Sequence, residues 1–230
     1  QDFVDKFARM LERPPYFRRM ERWNVEGPPL LGALPTPTPL NPGDFVSRAE
    51  DGLVLDTRME LGFGAAHVPE ALSMWKGGLA SFAGWFLPYD EPLLLVSEDE
   101  DPTPIVRRLV RLGYDDLAGT LGGGMLAWHM AGRESASTAT VTTHELCERL
   151  DEDFGAWILD VRSEEELERE GRITDAHHIH ITQLPERLGE VPRDRPVRVF
   201  CGSGLRSMIG ASLLQREGWE DVSVILGGLA

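Results

Sequence analysis

Residues 157–162 read WILDVR, and residues 53–58 read LVLDTR, 104 positions earlier. The same separation lays PVRVFC (196–201) over PLLLVS (92–97). A separation of 105 lays GWEDVSVILGG (218–228) over GYDDLAGTLGG (113–123). Three anchors in one order at nearly one spacing mark an internal duplication. Each anchor pairs a short apolar run with polar or glycine punctuation. Such runs are too short for a helix and apolar on both faces, as expected of strands buried in a parallel sheet.

Working outward, the second copy alternates the two kinds of element. An amphipathic helix is predicted over THELCERL (143–150), followed by the WILDVR strand and a short strand over HHIHI (177–181). A helix-like LPERL leads to the VRVF strand (197–200), then a helix from about Ser207 to Glu217 and a last strand, VSVIL (222–226). Strand–helix alternation predicts an α/β fold, each copy a mostly parallel sheet covered by helices on both faces and joined by right-handed crossovers. The copies are expected over 44–134 and 135–230. Residues 1–43 form a helical tail and a Pro-rich strap, GPPLLGALPTPTPLNPGDF (27–45), in which Asn41-Pro42-Gly43-Asp44 turns into the next helix. The counterpart of Trp128 would fall beyond Ala230, so the second copy is expected to lack its last few residues. A start at Gln1 suggests part of a longer polypeptide, or a processed or incompletely ordered one.

Composition narrows the function. The 230 residues hold 23 Lys+Arg and 38 Asp+Glu, a formal net charge of −15. That argues against nucleic acid as a partner, since phosphate binding needs a basic face. No apolar run approaches the ~18 residues that would span a bilayer, so no membrane role is expected. Two cysteines make no disulfide scaffold, and a cytoplasmic location is the default.

The chemistry concentrates in VFCGSGLRS (199–207). A buried strand feeds Cys201, then a tight loop, then a helix. This places a thiol at the carboxyl end of a parallel strand, where open α/β sheets bind ligands. Gly202 and Gly204 permit backbone angles that turn successive N–H groups to one side. The following helix adds unpaired N–H groups, and Arg206 adds a full charge. All of these favour a thiolate.

The C-x-x-G-x-R-S loop, the LDVRS strand end and the closing LGG resemble rhodanese-like sulfurtransferases. The resemblance runs over both copies, about 44–230, and is stronger in the second. It implies that Cys201 is the nucleophile, carrying sulfur as a persulfide from a small-molecule donor to a thiol or cyanide. Arg206 would hold the donor. The loop residues Gly202, Ser203, Gly204, Leu205 and Ser207 would cradle the sulfur or the substrate anion. Asp160 and Arg162 match a strand-end pair of structural purpose. No cofactor and no metal are implied. Four residues separate Cys201 from Arg206, against five in related phosphatases, which favours sulfur over phosphate or arsenate. The departure is GRITDAHHI (171–179), with Arg172 where the family has His; AAHVPEA keeps it in the first copy as His67.

In the first copy Ser97 stands where Cys201 would be, Pro102 where Arg206 would be, and EDED (98–101) between them. That copy is expected to be catalytically inactive. PPYFRRMERWNVEGPPLLG (14–32) resembles the tail that follows the metallo-β-lactamase-fold domain in fused hydrolase–rhodanese proteins, implying an upstream partner domain of that kind. A persulfide carrier serving such a hydrolase is the alternative function. The remaining signals read blandly. Cys147 is a helix residue, and His177, His178 and His180 are strand and loop histidines. EDEDP is a solvated loop, EEELERE (164–170) an exposed helical turn, and GTLGGGMLAW (119–128) a close-packed turn.

Overall fold

The computed structural model describes residues 13–145 and 155–227. The chain divides into two compact units, residues 1–33 and 34–230. The first holds helix α1 (Tyr16–Glu26), which carries Phe17, Met20 and Trp23 and ends at Gly27 in a positive-φ conformation.

The second unit holds two five-stranded parallel sheets. One contains β1 (Pro39–Leu40), β2 (Leu53–Asp56), β3 (Leu72–Ser73), β4 (Leu93–Val96) and β5 (Leu117–Leu121), in the spatial order β1-β5-β4-β2-β3. The other contains β6 (Ala139–Thr142), β7 (Trp157–Asp160), β8 (His177–His178), β9 (Val197–Phe200) and β10 (Val222–Leu226), in the order β6-β10-β9-β7-β8. The orders are the same strand for strand. Registers match as well: Leu53 pairs with Leu93 and Trp157 with Val197. The fold is α/β with a duplicated sheet.

The central strands are buried because their neighbours cover both faces. Every residue of β2 and β4 is buried, as are Val197, Val199 and Phe200 of β9. One cluster of apolar side chains runs through both halves, from Leu55 and Leu94 to Leu159 and Val199. The end of the Pro-rich strap is drawn into this frame. Pro39 and Leu40 add the edge strand β1, and Asn41 caps helix α2 (Pro42–Ala49), its Oδ1 accepting from the amides of Gly43 and Asp44 at 2.9 and 3.0 Å.

Other helices are α3 (Glu60–Ala65), α4 (Leu79–Phe86), α5 (Thr103–Arg111), α6 (Gly124–Met130), α7 (Glu164–Glu170) and α8 (Leu205–Arg216). Two predictions on the second half are corrected. The strand at HHIHI is only His177–His178, and Ile181–Glu186 with Pro185 inside it is a 3₁₀ turn, since a proline lacks the amide that an α-helix needs. Cys147 and most of THELCERL lie outside the described residues. Among the described residues, no helix is long and apolar enough to cross a membrane.

The halves share one contact surface built around α8. The Ser73 amide at β3 donates across to Ser212 Oγ at 3.0 Å. Gly64 of α3 leaves room for Met208: a Cβ there would lie 3.1 Å from Met208 Cε. His67 and Ala136 exchange backbone hydrogen bonds at 2.9 and 3.0 Å, tying the connector between the halves to the first of them.

Candidate functional site

β9 is the middle strand of its sheet, and Cys201 is the first residue beyond its carboxyl end. The chain then turns through Gly202-Ser203-Gly204 into α8. Gly204 makes the turn possible. Its φ of +86° is a conformation that side-chain-bearing residues resist, and a Cβ there would stand 2.6 Å from Leu226 Cδ2. In that conformation the Gly204 amide donates to Cys201 Sγ at 3.1 Å. The second glycine of the motif is different. Gly202 lies outside the positive-φ set, is exposed, and has nothing within 4 Å of a Cβ position. The turn therefore rests on Gly204, not on both glycines.

Cys201 itself is fully buried. Of the other loop residues, Ser203 is exposed, Leu205 and Arg206 are half-buried, and Ser207 is buried with an Oγ that finds no hydrogen-bond partner among the described residues.

Arg206 has a partner that sequence reasoning missed. Its two terminal nitrogens donate to Glu166 at 2.6 Å each, a bidentate pair. Glu166 sits in the first turn of α7, and its position there is locally encoded. Ser163 and Glu166 form a capping box: Glu166 Oε2 accepts from the Ser163 amide at 2.9 Å, and the Glu166 amide donates to Ser163 Oγ at 3.3 Å. The Arg206 guanidinium holds the Glu166 carboxyl far below its usual range, at about 2. In return Glu166, and secondarily the Cys201 sulfur, raise the pKa of Arg206. EEELERE is thus no simple exposed turn, since Leu167 is buried and Glu166 belongs to the cysteine loop. The Ser-x-x-Glu spacing of 163–166 was the available signal; it reads as a helix start, and only the fold brings it beside residue 206.

Asp160 and Arg162 form a buried pair just beneath. Arg162 Nε donates to Asp160 Oδ1 at 3.0 Å and Nη2 to Oδ2 at 2.7 Å, with the guanidinium 4.9 Å from the Phe200 ring. The first half repeats this with Arg58 and Asp56, at 3.0 and 2.6 Å. The Arg172 departure leads away from the site, because its guanidinium bonds to Glu164 at 2.5 Å on the surface. His67 is buried instead. It stacks on Phe63 with centroids 3.8 Å apart, and burial pushes its pKa down. His177, His178 and His180 bond to Glu190, the Arg162 carbonyl and Thr182, respectively.

The corresponding loop of the first half follows β4. Ser97 Oγ accepts from the Asp99 amide at 3.0 Å, Lys76 pairs with Asp99 at 2.6 Å, and Asp101 accepts from the Thr103 amide at 2.9 Å. The acidic run is more than a solvated loop. Ser97, Glu98, Asp99 and Glu100 line a cleft of about 670 Å³, closed on the other side by Arg58 and the glycines before α6.

Comparison with known proteins matches this second half. Residues 142–230 match the rhodanese-like domain. A putative sulfurtransferase of Bacillus subtilis (strain 168), YtwF, is 33% identical over 90 residues, which cover 39% of this chain and 86% of that protein. A sulfurtransferase of Allochromatium vinosum is 30% identical over 89 residues, covering 39% of this chain and 82% of that one. Among solved structures, a rhodanese-like domain protein from Staphylococcus aureus is 30% identical, with a TM-score of 0.37, and the match covers 40% of this chain and 87% of that one. The chain belongs to the rhodanese-like family.

Proposed function

We propose that this chain is a sulfurtransferase that carries sulfane sulfur as a persulfide on Cys201. The observation that carries the reading is the Gly204 amide aimed at Cys201 Sγ, at the carboxyl end of the middle strand. A hydrogen bond from a fixed amide favours the charged sulfur, and the Arg206–Glu166 pair fixes the start of the helix behind it.

In the first step the Cys201 thiolate attacks the outer sulfur of thiosulfate or of a low-molecular-weight persulfide. A new S–S bond forms to Cys201, the old one breaks, and its electron pair leaves with sulfite or with the thiolate of the donor. In the second step an acceptor thiolate or cyanide attacks the outer sulfur of the Cys201 persulfide and regenerates the Cys201 thiolate. This is nucleophilic covalent catalysis, and ping-pong kinetics follow. Gly202 and Ser203 are exposed and form the outer turn of the loop beside the buried sulfur. The first half contributes no nucleophile, because Ser97 lacks both a thiol and a counterpart of Arg206.

Intact-protein mass spectrometry after incubation with thiosulfate or polysulfide tests the reading. The native chain should gain about 32 mass units, one sulfur, and the Cys201→Ser variant should gain none. Hydrolysis of an aryl phosphate without any sulfur adduct would assign the loop to oxyanion chemistry instead.

A further inference from the structure

Glu60, at the start of α3 in the first half, lies against the cysteine loop of the second. Its Cγ is 3.7 Å from the position a Cβ would take on Gly204, the residue whose amide bonds to Cys201 Sγ. Its Oε2 is buried and has no hydrogen-bond donor among the described residues. A buried carboxylate oxygen without a donor is costly, and a ligand that supplies one would relieve that cost. The nearest cationic group of the loop does not offset it, since both terminal nitrogens of Arg206 are engaged by Glu166. The surroundings of Cys201 therefore hold one carboxylate paired with an arginine and a second, Glu60, with one buried oxygen left without a donor among the described residues.

We propose that Glu60, reaching across from the first half, selects the sulfur acceptor at Cys201. It favours a thiol that bears an ammonium or another N–H donor near its sulfur over a thiol that bears a carboxylate. The inference rests on the persulfide reading and concerns its second step. There the acceptor thiolate attacks the outer sulfur of the Cys201 persulfide, the Cys201 S–S bond breaks, and its electron pair returns to Cys201. The acceptor leaves as a persulfide with the transferred sulfur. An ammonium on the acceptor meets Glu60 at the moment of attack; a carboxylate is repelled.

The test uses the full chain, loaded with sulfur by excess thiosulfate or polysulfide and then desalted. Loss of the added sulfur is followed by mass with three thiols at equal thiolate concentration: 2-mercaptoethylamine, 2-mercaptoethanol and 3-mercaptopropionate. In the native protein the cationic thiol should discharge Cys201 about tenfold faster than the anionic one, the scale expected of a nearby unit charge in a partly desolvated site. Glu60→Gln should bring that ratio to about a third or less of its native value, and Glu60→Lys should reverse the order. Using the ratio, not the rate, separates charge selection from general damage to the loop. A ratio that is the same in all three proteins overturns the inference and leaves Cys201 chemistry standing. Failure of the native chain to load from any donor overturns the persulfide reading, and this inference with it.

Discussion

Two loops leave the middle strands of two sheets with identical strand order, and they carry opposite charges around a cysteine in one and a serine in the other. The loop after β9 turns on Gly204, presents one amide to a sulfur and is closed by the Arg206–Glu166 pair. The loop after β4 starts at Ser97, is lined by Glu98, Asp99 and Glu100, and opens into a cleft. Beneath both, the strand-end pairs are nearly superposable in geometry: Arg58 holds Asp56 as Arg162 holds Asp160. The difference teaches where a duplicated domain can change. A buried ion pair that loses one partner leaves an uncompensated charge in the interior. A surface loop that changes its residues leaves them in water. The framework is retained by the cost of breaking it, whereas the loop residues are free to change.

The comparison can be broken most directly at residue 201. Cys201→Ser should abolish the sulfur adduct and all transfer, measured by intact mass and by turnover, while thermal unfolding stays close to that of the native chain; residual transfer would place the chemistry elsewhere. The next largest effect is on stability. Asp56→Asn and Asp160→Asn should each cost about 3–5 kcal/mol in urea unfolding, because each leaves a buried arginine without its carboxylate. A loss confined to one half would show that the pairs are not equivalent.

Glu166→Gln should lower transfer about tenfold by loosening Arg206, at the lower end for loss of one positioned charge-assisted contact. The same variant carries a pH signature. The Glu166 carboxyl is depressed from 4.5 to about 2 in the folded chain, so its stabilising contribution is fully present above about 4.5 and is lost as pH falls toward 2. Unfolding free energy of the native chain should therefore fall more steeply between pH 4.5 and 2 than that of Glu166→Gln; parallel curves would dissociate Glu166 from Arg206. The smallest effect sharpens the contrast from the other side. Ser97→Cys should add no sulfur to the first half when Cys201 is also replaced by Ser, because a thiol there has no glycine turn behind it and four carboxylates beside it. An adduct at residue 97, despite the four carboxylates of EDED (98–101), would mean that the scaffold alone activates a cysteine.

The duplication was legible because its anchors are local runs: LVLDTR and WILDVR announce buried strands from six residues each. The cysteine loop was legible for the same reason, since Cys201, Gly204 and Arg206 lie within one turn of chain. What stayed hidden comes from distance. Glu166 is 40 residues from Arg206 and, in sequence, is one glutamate in a run of similar charges. Glu60 belongs to the other copy altogether, and nothing in its neighbours marks it. The short strand at HHIHI was overread because alternation over five residues resembles a strand even where only His177 and His178 find a partner in β7. The acidic run was underread because composition reports charge and not the concavity that charge lines.

Helix α8 has apolar or small residues on nearly every side, with Met208, Ile209, Gly210, Ala211, Ser212 and Leu214 all buried. One side beds on its own sheet and another on β3 of the first copy. Removing the first copy would expose that second side to water, at a cost in stability. The first copy thus packs directly against the helix that follows Cys201. A substitution at Ser73 in its β3 therefore bears on the helix that also carries Arg206.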